Sequence, residues 1–189
     1  MAETKRILKT GGILCAITAV AALLLGAVNS VTAPRIELNN YKKMQTAMQN
    51  VMKDADFFTE DTSFTPSDET ADVSAVYTAE IKGNEIVGCC VSVSPNGYGG
   101  AIDMIVGVDK DLKVTGVDII NQSETAGLGS KSTEPEFREQ YVGKSAIDKV
   151  VKTGAKENEI NAISSATITS KAVTKGVNEA IEAAKNVME

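Results

Sequence analysis

Charge disappears from the chain between Thr10 and Pro34. At about 1.5 Å per helical residue such a run crosses a hydrocarbon core of about 30 Å, so the pattern predicts a transmembrane helix over 10–34. Beyond it, Ile36, Tyr41, Met44, Met48, Val51 and Met52 recur at helical spacing, which predicts an amphipathic helix continuing from the span. Residues 54–72 are acidic, rich in Thr and Ser, and hold Pro66, so they read as irregular surface with room for one short helical piece. Val73–Ile81 and Glu85–Val93 are rich in strand-forming residues around the polar Lys82-Gly83-Asn84, and Ala101–Val108 and Lys113–Ile120 repeat the arrangement across Asp109-Lys110-Asp111. Two hairpins predict a twisted antiparallel sheet. Thr133 with Glu136 reads as a capping box for a helix reaching Tyr141, with Pro135 tolerated in its first turn. Ile160–Ile163 suits a further short strand, and Ala172, Val173, Val177, Ala180, Ile181 and Ala184 mark one apolar face of a closing helix.

The expected architecture is α+β. A cytoplasmic N-terminus (1–9) precedes the span (10–34), a connecting helix with an irregular segment (35–72) follows, and one domain with flanking helices occupies 73–189. Lys5, Arg6 and Lys9 stand just before the span and only Arg35 just after it. That asymmetry places the protein in the cell membrane as a single-pass chain, N-terminus in the cytoplasm and domain outside. A cleavable signal peptide is the competing reading, with Val31-Thr32-Ala33 as its small residues, but the apolar run is long for one and Pro34 follows the cut.

Composition narrows the chemistry. The net charge is −6 and there is no Trp, which argues against a nucleic-acid partner. The chain has no His, so every mechanism that needs imidazole is excluded and the chemistry falls to a cofactor or a partner. No metal site is expected. Cys15 lies in the span, and Cys89 and Cys90 are strand neighbours that point to opposite faces, suited to small buried apolar roles.

One stretch has the composition of a phosphate site. In Ser164-Ser165-Ala166-Thr167-Ile168-Thr169-Ser170, small residues admit a ligand to the backbone, hydroxyls donate, and the following helix start presents free N–H groups to an anion. Plain helix capping by Ser or Thr is the alternative. Glu124–Ser132 joins a carboxylate and hydroxyls to Gly127, Gly129 and Lys131, but Ser130 stands where a nucleotide P-loop needs Gly, so a Walker motif is rejected. Between the hairpins, Pro95-Asn96-Gly97-Tyr98-Gly99-Gly100 reads as a flexible loop open to a ligand.

The Ser164–Ser170 run resembles the S/T-G-A-T flavinylation motif of the G subunit of the Rnf electron-transport complex and of the C subunit of the related sodium-translocating NADH:quinone reductase. Ser94–Gly100, Glu124–Gly129, Phe137–Tyr141 and the single N-terminal span extend the resemblance over nearly the whole chain in the same order. Ser165 departs from the pattern, standing where the motif has Gly. The resemblance implies FMN joined to Thr167 through a phosphoester, installed from FAD by a separate flavin transferase. It implies that Ser164, Ser165 and Ala166 contact or shape the phosphate, that Glu124, Thr125, Leu128 and Gly129 line the isoalloxazine, that Tyr98 and Gly99 close the other side, and that Lys131 also belongs to the cofactor site. The activity implied is electron relay within an ion-translocating ferredoxin:NAD oxidoreductase, beside other membrane and Fe–S subunits. A membrane-anchored FMN-binding sensor, or a subunit that binds without relaying, is the alternative.

Overall fold

The computed structural model describes residues 2–83 and 85–188, with backbone alone for residues 2–5 and Leu8. Asn84 of the expected hairpin turn and the Lys5 side chain therefore lie outside the described residues.

Helix α1 spans Ala2–Val51 and passes through Pro34. It contains one stretch long and apolar enough to cross a membrane, with none of that stretch buried in the protein. Leu23, Leu25 and Val31 are exposed along it, as lipid-facing side chains are when no protein covers them. The chain falls into two units, the first ending at Lys42 and the second beginning at Lys43.

The second unit is built on a five-stranded antiparallel sheet in the order β1-β2-β3-β4-β5. Its strands are β1 (Phe57–Glu60), β2 (Val73–Ile81), β3 (Glu85–Val93), β4 (Asp103–Asp109) and β5 (Val114–Asn121). The two hairpins stand as expected. The segment expected to be irregular holds β1, whose acidic and Thr-rich sequence hides it, and a 3-10 turn at Asp68–Thr70. β1 is an edge strand with three of its four residues exposed, so no alternation of apolar and polar positions marks it.

Both faces of the sheet are covered. Helix α3 (Thr167–Met188) lays Val173, Val177, Ala180 and Ala184 on one face against Val76, Cys89, Val91, Met104 and Val106. On the other, Ala47, Met48, Val51 and Met52 of α1 pack against Ala79, Cys90 and Ile105. Double coverage explains why β3 and β4 read as nearly continuous apolar runs. Cys89 and Cys90 do face opposite sides, both buried, and burial pushes the Cys89 thiol up to about 12. Such thiols are inert packing groups at neutral pH.

The end of α1 is pinned. The Thr115 hydroxyl donates to the Val51 carbonyl at 2.6 Å. A Cβ at Gly107 would lie 2.9 Å from that same carbonyl oxygen, so the paired glycines Gly107 and Gly116 are what let the helix end sit on β4 and β5. Asp118 of β5 accepts from Asn50 of α1 and from Arg138.

Two local expectations need correction. The Thr133–Glu136 capping box does not form: Thr133 ends a 3-10 turn (Gly129–Thr133) and its hydroxyl donates to the Ser130 carbonyl. Glu134 instead precedes a one-turn α2 (Pro135–Arg138) with Pro135 at its first position, and a 3-10 turn, Glu139–Tyr141, completes the segment. Phe137 and Tyr141 meet edge to face at 5.6 Å between centroids, and this aromatic packing holds the segment where helical propensity alone does not. The strand expected at Ile160–Ile163 is β7 (Glu159–Asn161), which pairs in parallel with β6 (Lys149–Val151), a strand too short to show in sequence.

Candidate functional site

The hydroxyl run folds as a tight turn feeding α3. Ala166 donates its N–H to the Ile163 carbonyl at 3.0 Å, closing a four-residue turn in which Ser165 has φ +62°. The third position of such a turn prefers glycine, because a Cβ in the left-handed region clashes with the backbone. Here the departure from S/T-G-A-T acquires a physical meaning: the position does need positive φ, and Ser165 adopts it under strain. Ser170 locks the turn from within the helix, its hydroxyl accepting from Ile163 N–H and donating to the Ala166 carbonyl, both at 2.9 Å.

Hydroxyl accessibility divides the run sharply. Ser164, Ser165 and Thr167 are exposed, whereas Thr169 and Ser170 are buried at 1% and 0%. Thr174 is buried as well and bonded to the Tyr141 hydroxyl at 2.9 Å. Among the described residues, no backbone carbonyl accepts from the N–H groups of Thr167, Ile168 or Thr169, as the first turn of a helix dictates. Thr167 therefore stands solvent-facing at the start of a 22-residue helix, beside three free donors and the positive end of the helix dipole.

Beside it lies a cleft of about 220 Å³ lined by Lys131, Glu134, Glu136, Phe137, Gln140, Asn161, Ala162, Ile163 and Ser164. Gln140 fixes its floor, accepting from Asn161 N–H at 2.8 Å. The Lys131 ammonium has no carboxylate partner among the described residues. Free N–H groups and exposed hydroxyls at the helix start make a donor set suited to a phosphate, and the group fits there, whereas in the adjoining cleft the Lys131 cation is set against the carboxylates of Glu134 and Glu136.

Two further loops join this helix start through Glu124. Its Oε1 accepts from Tyr98 N–H at 2.8 Å and Gly99 N–H at 2.9 Å, and its Oε2 accepts from the Thr169 hydroxyl at 2.6 Å. Burial pushes the Glu124 carboxyl up, but the three hydrogen bonds from Thr169, Gly99 and Tyr98 outweigh it and leave the group below the usual carboxylate range. The 95–100 loop is hydrogen-bonded within itself and to its neighbours: Ile102 N–H bonds the Pro95 carbonyl, Gly97 N–H bonds the Gly100 carbonyl, and Glu124 accepts from the tip.

Glycine has a different role at 129 than ligand clearance. A Cβ on Gly129 would meet Glu124 Oε2 at 2.4 Å and Thr169 Oγ1 at 2.7 Å, so that space is filled by protein. Tyr98, Thr125 and Leu128 are exposed near the same junction. The structure thus brings Tyr98, Gly99, Glu124, Gly129 and Thr167 to one place and sets Lys131 with Ser164 along the adjoining cleft. Sequence reasoning missed Thr169 as Glu124's partner, because nothing in a linear pattern ties a hydroxyl to a carboxylate 45 positions away.

Comparison with known proteins shows the family. Residues 97–182 match the FMN-binding domain family and residues 1–51 the RnfG N-terminal region. The G subunit of the Na⁺-translocating ferredoxin:NAD⁺ oxidoreductase complex of Acetobacterium woodii is 39% identical, across 98% of this chain and 95% of that protein. The chain belongs to this G-subunit family. Its counterpart in the proton-translocating ferredoxin:NAD⁺ oxidoreductase complex of Clostridium ljungdahlii is 35% identical over 86% of the chain and 83% of its own length. The crystal structure of Shewanella oneidensis NqrC shares the fold, with a TM-score of 0.55 at 23% identity over 72% of each chain. The resemblance carried by the Ser164–Ser170 run and its companion loops is borne out. The protein is a flavoprotein component of a multi-subunit ion-translocating oxidoreductase, with a candidate membrane helix at its N-terminus.

Proposed function

We propose that Thr167 carries FMN through a phosphoester on its Oγ and that the protein relays electrons within a ferredoxin:NAD oxidoreductase of the kind its relatives are named for. The observation that carries this reading is the exposure of Thr167 at the free N-terminus of α3 while Thr169 and Thr174 are buried and hydrogen-bonded. Ser164 and Ser165 lie on the turn before the helix, where they donate to the phosphate, and Ala166, buried at 7%, anchors the turn. Lys131 offsets the phosphate charge from the side of the cleft.

Attachment needs a second protein. Thr is a weak nucleophile without an adjacent base, and the chain has no His to act as one. In transfer from FAD, the Thr167 Oγ–P bond forms, the bond between the FMN phosphorus and the bridging oxygen breaks, AMP leaves, and the hydroxyl proton passes to a base of the flavin transferase. Bound FMN supplies the electron-transfer chemistry. The chain's own residues would hold it: the exposed Tyr98, Gly99, Thr125 and Leu128 would flank the ring, while Gly129, packed on Glu124 and Thr169, lets Glu124 organise them.

Intact mass of the membrane-purified protein tests the reading. Co-expression with a flavin transferase should add the mass of FMN less one water, and Thr167→Ala should abolish it and the in-gel flavin fluorescence. A fluorescent band persisting in Thr167→Ala places the attachment elsewhere. Spontaneous flavinylation of the purified chain by FAD overturns the two-protein scheme.

A further inference from the structure

Glu124 gathers three segments that are distant in sequence, and each of its contacts lies next to an exposed apolar side chain. Tyr98, whose N–H bonds Oε1, is 71% exposed; Leu128, beside the Gly129 that packs on Oε2, is 40% exposed; Ile168, beside Thr169, is 56% exposed. From Lys43 onward the other exposed large apolar side chains are Phe57, Ile86 and Val142, so half of the six adjoin in sequence the residues that meet this one carboxylate. Ile168 directly follows Thr167 on the first turn of α3. Exposed apolar groups on the segments that meet at Glu124, near a proposed phosphate attachment point, suit a ligand that is anionic at one end and flat and apolar at the other, as FMN is.

Glu124 itself is poorly placed to act on that ring directly. Oε1 already accepts two N–H groups and Oε2 accepts a hydroxyl, so the carboxylate is occupied by protein donors. The clasp also admits no slack. A Cβ at Gly97 would fall 2.2 Å from Oε1 and one at Gly129 2.4 Å from Oε2.

Building on the FMN reading of Thr167, we infer that Glu124 and Thr169 are positioning residues whose hydrogen bond sets the spacing of Tyr98, Leu128 and Ile168 and thereby seats the isoalloxazine ring, with Ile168 as its third wall. Attachment and seating are then separate properties: Thr167 holds the phosphate, and the clasp holds the walls.

The test uses the full-length chain co-expressed with a flavin transferase, with signals read per mole of attached FMN. Thr169→Val exchanges the hydroxyl for a methyl of similar volume. It should lose the flavin's induced visible circular dichroism and lower its fluorescence anisotropy, while Thr169→Ser, which keeps the donor, should retain both. Glu124→Ala removes the acceptor of the Thr169 hydroxyl together with that of the Tyr98 and Gly99 N–H groups. It should therefore lose at least as much as Thr169→Val, with no further loss in the double variant. Should Thr169→Val fail to fold, Glu124→Ala and the exposed Ile168→Ser decide by the same signals. Parent-like spectra in the folded variants overturn the inference, as does an equal loss in Thr169→Ser. A parent protein without the FMN mass increment sinks the FMN reading instead, which separates the two failures.

Discussion

Ser165 holds a left-handed conformation with φ +62° that costs a non-glycine residue about 1–2 kcal/mol, while glycine's extra unfolded-state entropy returns about 0.5–1 kcal/mol of that. Ser165→Gly should thus stabilise the domain by about 0.5–1 kcal/mol and raise Tm by about 2 °C, measured by thermal unfolding. An unchanged or lower Tm would show that the Ser hydroxyl stabilises the turn by as much as the strain costs. Gly129→Ala should act in the opposite direction. Its Cβ would sit 2.4 Å from Glu124 Oε2, and such overpacking costs about 1–3 kcal/mol. At Glu124 the folded carboxyl titrates below its unfolded value, so its contribution is complete above the unfolded pKa and is lost as pH falls through the folded one. The amide chemical shifts of Tyr98 and Gly99, which bond Oε1, should therefore titrate with a midpoint below the ordinary Glu value of about 4.3. A midpoint at or above that value would mean the clasp does not favour the charged form.

Among the elements, α3 is tied to the segment before β2 by a charged triad. Glu179, 7% exposed, accepts from Asp72 N–H at 2.8 Å and pairs with Lys175 at 3.0 Å, and Lys175 also reaches Asp72 at 2.6 Å. The bonds to Asp72 and Glu179 hold the Lys175 ammonium above its usual range. Glu179→Ala strands a backbone N–H and should cost about 1–3 kcal/mol in urea unfolding. Lys175→Met should cost less, since the ammonium is over half exposed and exposed ion pairs are weak. Equal losses in the two variants would shift the weight from the Asp72 N–H bond to the ion pair. The helix whose body carries this triad also presents Thr167 at its start, so α3 holds the proposed attachment point on a regular element rather than on a loop.

For the molecule entire, the positive residues before the span predict a domain outside the cytoplasm. A C-terminal reporter that works only outside the cytoplasm should be active, and one active only inside would reverse the orientation. Protease added to spheroplasts should remove the domain, with the N-terminal span protected.

Features that depend on local pattern could be read directly from the chain. The charge-free run of α1, the alternation and turns of β2 through β5, the apolar face of α3 and the hydroxyls ahead of it were all legible, because each is a statement about neighbours along the chain. Cys89 and Cys90 were readable as packing groups for the same reason. Everything else waited on contacts between distant segments. β1 and β6 exist through their partners, β2 and β7, and the 134–141 segment follows its aromatic packing rather than its capping signals. Thr167 and Thr169 are equivalent hydroxyls in the sequence. Burial of one against Glu124 and exposure of the other is a long-range outcome, set when α3 docks on the sheet and brings residues 98, 124 and 169 to a single carboxylate.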